Sequence, residues 1–161
     1  MNKPINSNLR HLKVVDAEFY RMKTGLCAAC GNCYDCSIQG ESIQVCTDYQ
    51  PVIPFKKLDG LEARFNTFRL GFAWSTRVKP GQSIGLLNRE GVKFGEAVVE
   101  AVHRGDKDEM LSDHAAFNHL MIANPHEKPA QELKRLIRNM YGPNYLANAD
   151  GFTVIYLNRA S

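Results

Sequence analysis

Lys79-Pro80-Gly81-Gln82-Ser83-Ile84-Gly85-Leu86-Leu87-Asn88-Arg89-Glu90-Gly91-Val92-Lys93-Phe94-Gly95-Glu96-Ala97-Val98-Val99 is the stretch whose reading decides the fold. Proline presets one turn dihedral and glycine accepts the left-handed region, so Lys79-Pro80-Gly81-Gln82 reads as a turn. Residues 83–88 read as a strand, Arg89-Glu90-Gly91 as a hairpin turn and residues 93–103 as the returning strand. Val98, Val99 and Val102 supply β-branched bulk to that second strand.

Working toward the C-terminus, Asp106 and Asp108 are candidate N-caps for a helix expected to run to about Leu120. Its apolar positions, Met110, Leu111, Ala115 and Met121, do not form a single stripe, so its orientation is open. Pro129 suits the first turn of a second helix, with Leu133, Leu136, Ile137 and Met140 at helical spacing and Gly142 beyond its end. Phe152 to Leu157 is apolar on both alternating faces, the pattern of a buried closing strand. Working toward the N-terminus, residues 67–78 are aromatic and mixed, and residues 56–64 predict a short helix with Leu58 and Leu61 inward. Pro51-Val52-Ile53-Pro54-Phe55 reads as an edge strand, because two prolines cannot donate to a ladder. The fold class is therefore α+β, a small curled sheet or barrel flanked by helices.

Ahead of this domain, Val15, Phe19 and Met22 recur at helical spacing, with Gly25 placed as a left-handed cap. All five cysteines follow within twenty residues: Cys27, Cys30, Cys33 and Cys36 at successive C-x-x-C spacing, then Cys46. Two intervening residues let a tight turn aim two sulfurs at one ion, as a tetrahedral thiolate zinc site requires. No Lys or Arg lies between Cys27 and Gln50, so a metal is the local agent able to hold several thiols as thiolates. Zinc held by Cys27, Cys30, Cys33 and Cys46, with Cys36 the spare thiol, is the preferred assignment. A [4Fe–4S] cluster is the alternative, although the ferredoxin run spaces its fourth cysteine by three residues and follows it with proline. Here the gap is two and Ser37 follows. An odd count argues against a disulfide framework. The expected organisation is residues 1–50 as a metal-binding appendage and 51–161 as the main domain.

With 161 residues, 44% hydrophobic and 23% charged, the composition is that of a globular chain. No apolar run approaches the length needed to span a bilayer, and the first residues lack the apolar core of a signal peptide. A reducing, cytoplasmic setting without a membrane is expected. The net charge of +3 decides little. Residues 55–107, however, carry ten Lys or Arg against six acids, which allows a weakly basic face.

Several features together resemble an ASCH domain of the PUA-like β-barrel group: Thr67-Phe68-Arg69, Lys79-Pro80-Gly81-Gln82, the hairpin from Ser83 to Val102, and the helix carrying His114. The run Leu133-Lys134-Arg135-Leu136-Ile137-Arg138-Asn139-Met140-Tyr141 before a last strand is also similar. The resemblance covers roughly residues 51–158 and none of the cysteines. It implies a PUA-like barrel with a pocket for a nucleotide or RNA. In the family's acetylcytidine amidohydrolases a Lys and a Thr on the first hairpin and a Glu on the following helix do the chemistry. The corresponding positions here are Asn66, Arg69 and Asn118, none of which supplies the Lys, Thr or Glu role. The expectation is therefore a non-enzymatic RNA-binding module, with Arg69, Arg77 and Lys79 on phosphate and Phe72 or Trp74 stacking on bases. The plain alternative has Trp74 in the core and the cations on a solvated face. A hydrolase or nuclease acting on nucleosides or RNA is the rival function, with Arg69, Glu96 and His114 as candidate catalytic residues. His103 and His119 are further candidates for catalysis or a second metal; His11 and His126 are weaker ones.

Overall fold

The computed structural model of the chain describes residues 49–159. The helix expected over Val15 to Met22 and all five cysteines lie outside the described residues. Those residues form an α+β fold of five strands with several helices. The strands are β1 (Val52–Pro54), β2 (Arg64–Leu70), β3 (Ser83–Leu87), β4 (Lys93–Gly105) and β5 (Phe152–Asn158). The helices are α1 (Trp74–Arg77), α2 (Lys107–His114), α3 (His119–Ala123), α4 (Pro129–Tyr141) and α5 (Pro143–Asn148), with a 3₁₀ turn at Ala115–Phe117. The strands hydrogen-bond in the order β1-β3-β4-β5-β2, an open sheet with β1 and β2 at its edges. Closure of the sheet into a barrel is not seen among the described residues.

The chain divides into two compact units, and β4 contributes to both. In the first, comprising described residues 49–57 and 83–96, β1 runs parallel to β3 with Ile53 opposite Leu86. Pro51 just before β1 and Pro54 at its end fit its edge position, as the sequence predicted. The β3–β4 turn is closed by Asn88, whose backbone N–H donates to the Val92 carbonyl at 2.9 Å while its side-chain oxygen accepts from the Val92 N–H at 2.8 Å. Gly91 at φ +79° completes the reversal.

The second unit, 58–82 with 97–159, holds the rest of β4, β2, β5 and the helices α1 to α5. Strand β5 is antiparallel to both β2 and β4, and its residues 152–157 are buried, as a two-faced apolar run demands. Each large apolar side chain buried there contributes about 1.5–3 kcal/mol. One face of β5 (Phe152, Val154, Tyr156) packs with Phe68 against Met110, Leu111, Leu120, Leu133 and Ile137 of the helices. Strand β4 carries a bulge: Val99 pairs with Leu157 but Ala101 pairs with Tyr156, leaving Glu100 as the extra residue.

Two expected helices are corrected. Residues 56–63 form bends and turns and Arg64 opens β2, because Gly60 adopts φ +74° with its backbone against the His119 carbonyl. The helix expected through Leu120 ends at His114. Asn118, extended at φ −70°, ψ 139°, starts α3, and its side chain accepts from the Leu120 N–H at 3.1 Å. Two short helices with separate axes explain the lack of one apolar stripe. Asp106 does cap α2, accepting from the N–H groups of Asp108 and Glu109, and α4 starts at Pro129 as predicted.

Candidate functional site

Two clusters of chemically capable side chains form within the second unit. The first is built where β2 runs into α1. Arg69, near the end of β2, and Arg77, in the last position of α1, both lie over the Trp74 ring, at 5.4 and 5.5 Å from its centroid. A four-residue helix brings this about by placing positions 74 and 77 on one side. Arg69 is half-buried, and desolvation lowers its pKa to about 10, opposed by Tyr141. The guanidinium therefore stays charged at neutral pH. Phe72 is 36% exposed and lies beneath Arg104 of β4 at 5.9 Å. Lys79 is exposed on the turn that follows, close in sequence to the cluster. Of the five residues expected to meet nucleic acid, the structure brings Arg69, Trp74 and Arg77 into one group. Phe72 has Arg104 as a cationic neighbour, which the sequence reading missed because Arg104 comes from a distant strand.

The second cluster gathers on the helix-facing side of the sheet. The rings of His103 (β4) and His114 (the end of α2) stack with centroids 4.7 Å apart and planes inclined by 27°. His114 Nδ1 lies 2.9 Å from the Tyr156 hydroxyl. Tyr156 meets His103 edge-on at 5.7 Å and carries Arg64 over its ring at 5.2 Å. Arg64 is in turn ion-paired with Glu100. Phe117, 50% exposed, tilts against the Tyr156 ring. Burial, with the neighbouring His103 second, lowers the pKa of His114. Planes so nearly parallel do not converge within the ~2 Å reach of a metal–nitrogen bond, so this pair is not a metal clamp. Among the described residues, no group of three or more His, Cys, Asp or Glu is placed to hold a metal ion.

The positions that the family resemblance assigned to catalytic Lys and Glu do meet, but as buried amides. Asn118 Nδ2 donates to the Asn66 carbonyl at 3.2 Å, and Asn66 Nδ2 donates to the His114 carbonyl at 2.8 Å. Asn66 and Asn118 are 0% and 2% exposed. Their work is to tie β2 to the segment carrying His114.

The remaining candidates separate. Glu96 belongs to the first unit, where Lys93 and then Gln50 hold its carboxyl below the usual range. A stabilised carboxylate is a weakened base. His119 is buried, its Nδ1 donating to the Asp59 carbonyl at 2.9 Å and its ring edge-on to Phe65, a packing role. His126 is exposed and accepts from the Lys128 N–H at 3.0 Å. A groove of about 580 Å³ between α2, α4 and α5 is rich in cations, but Lys134 is paired with Asp108 and Arg135 with Glu132. Lys107 there donates to the Leu146 and Ala147 carbonyls.

No family model matches the chain, and no curated protein matches it. A similar solved structure is that of the hypothetical protein PH0355, 16% identical at a TM-score of 0.49; the match spans 68% of this chain and 97% of that one.

Proposed function

We propose that this chain binds single-stranded nucleic acid, RNA in preference, through the arginine–aromatic surface at the β2–α1 junction. The observation that supports it is the pair of guanidiniums, Arg69 and Arg77, over the single indole of Trp74. A guanidinium stacked on an aromatic ring keeps its N–H fork in the plane of its own edge, where it can pair bidentately with a phosphate. The partly exposed rings of Trp74 and Phe72 add faces on which splayed bases stack. The ASCH-like, PUA-like reading of residues 51–161 and the structural zinc site in the cysteine loop belong to this proposal and are carried by the sequence alone. Zinc there would supply folding free energy to a segment poor in apolar residues.

Because Arg69 is half-buried, reversing its charge would test folding as much as binding. The informative variant is Arg77→Glu with Lys79→Glu, both at exposed positions. Fluorescence anisotropy with a labelled single-stranded RNA should show at least about a tenfold loss of affinity and a shallower dependence of log K on log salt, with unchanged melting of the protein. Equal affinity and equal salt slope in the variant would refute the reading.

A further inference from the structure

We propose that His103 and His114 are an acid–base pair that cleaves RNA by internal transesterification. The proposal rests on the RNA-binding reading above. The arginine–aromatic surface at the β2–α1 junction would suffice for binding; the stacked imidazoles are chemistry that binding does not need.

The pair is assembled deliberately by three elements. Simple alternation along β4 would put residue 103 on the same face as Val99, which pairs with Leu157. The bulge at Glu100 transfers Ala101 and His103 to the Tyr156 face, where His103 sits opposite Val154. Bulges re-aim side chains in this way beside active sites. His114 arrives from the other side, at the end of α2, with its backbone carbonyl held by Asn66. In the neutral tautomer that donates its Nδ1–H to the Tyr156 hydroxyl oxygen, this contact fixes the ring and leaves Nε2 as the acceptor nitrogen for a substrate.

The spacing suits the reaction. In two-metal phosphoryl-transfer sites, ions about 3.5–4 Å apart span the attacking and leaving oxygens of an in-line displacement. Rings centred 4.7 Å apart and inclined by 27° set their edges side by side at a spacing of the same order. Neutral His114 takes the proton from a ribose 2′-hydroxyl, and the 2′-oxygen attacks the adjacent phosphorus. The P–O5′ bond breaks, and the departing 5′-oxygen receives a proton from His103. The products are a 2′,3′-cyclic phosphate and a 5′-hydroxyl. No water, metal or redox partner is consumed, and exchange with solvent restores the starting protonation. The exposed Phe117 ring provides a stacking face at the margin of the pair, and Arg64, ion-paired with Glu100, lies over Tyr156. The charged and titratable groups acting on His114 are His103 from β4, Tyr156 from β5, and Asp113 and Glu109 on α2.

The test uses the full chain, a mixed-sequence single-stranded RNA and its all-DNA counterpart, in excess EDTA. Expected are RNA fragments ending in 2′,3′-cyclic phosphate by mass spectrometry, no DNA cleavage, and a loss of about 100-fold or more in His114→Gln and in His103→Phe. His103→Phe keeps a ring for the stack, so its melting temperature reports folding separately from activity. RNA that binds but is not cleaved overturns this inference and leaves the binding reading standing. Cleavage to 5′-phosphate ends, or cleavage equal in all variants, also overturns it. Absence of any RNA binding overturns both.

Discussion

Asn118 donates its side-chain amide to the backbone carbonyl of Asn66 at 3.2 Å while its side-chain oxygen caps α3 at the Leu120 N–H. One buried amide thus closes the gap between β2 and the turn that follows α2. Asn118→Ala removes the cap and leaves the Asn66 carbonyl without this donor. Expected is a loss of about 1–3 kcal/mol in urea unfolding. An unchanged midpoint would show that the amide pair does not hold these elements together.

Gly60 and Gly81 both have positive φ, yet they should respond differently to alanine. A Cβ at Gly60 would meet the His119 carbonyl oxygen at 2.0 Å, whereas one at Gly81 meets nothing within 4 Å. Gly81→Ala should cost about 1 kcal/mol from backbone strain alone. Gly60→Ala should cost several times more, read as a much larger drop in melting temperature. Equal drops would contradict the close approach.

Stability should fall on the acid side of neutrality. Burial lowers the pKa of both His114 and His119 below the ordinary 6.5. The unfolded chain therefore takes up protons first, so the contribution is complete above about pH 6.5 and is lost as pH falls toward the folded-state values. Melting scans at pH 7.5 and 5.5 should show this drop, reduced in His119→Gln. A pH-independent melting temperature would count against it.

Trp74 separates stacking from charge. Trp74→Ala should weaken RNA binding by roughly 1–3 kcal/mol, the worth of a base stacked on an aromatic ring. The salt slope should stay near its original value, because no phosphate contact is deleted. A steep change in slope would instead mean that Trp74 acts by positioning Arg69 and Arg77.

Elemental analysis with an absorption spectrum tests the cysteine loop. One equivalent of zinc in a colourless protein is expected from the thiolate spacing. Iron with sulfide and visible absorption would assign Cys27, Cys30, Cys33 and Cys36 to a cluster instead.

The sequence by itself determined what neighbouring residues settle between them. Arg89-Glu90-Gly91 specifies a hairpin reversal, Asp106 and Pro129 start helices, and the two-faced apolar run from Phe152 must be a covered strand. Each is a matter of dihedral preference, capping or burial over a few adjacent residues. Tertiary structure decided what lies between distant positions. That Glu100 would be the bulged residue depends on the register of β4 against β5, and no local signal records it, yet it determines which face His103 occupies. The break at Asn118 was likewise hidden, because a cap in mid-helix wins only when its amide finds Asn66 across the fold. The stack of His103 on His114 and the two guanidiniums over Trp74 follow the same logic. Local energies choose the elements; the pairing register and the burial of polar groups choose which side chains meet.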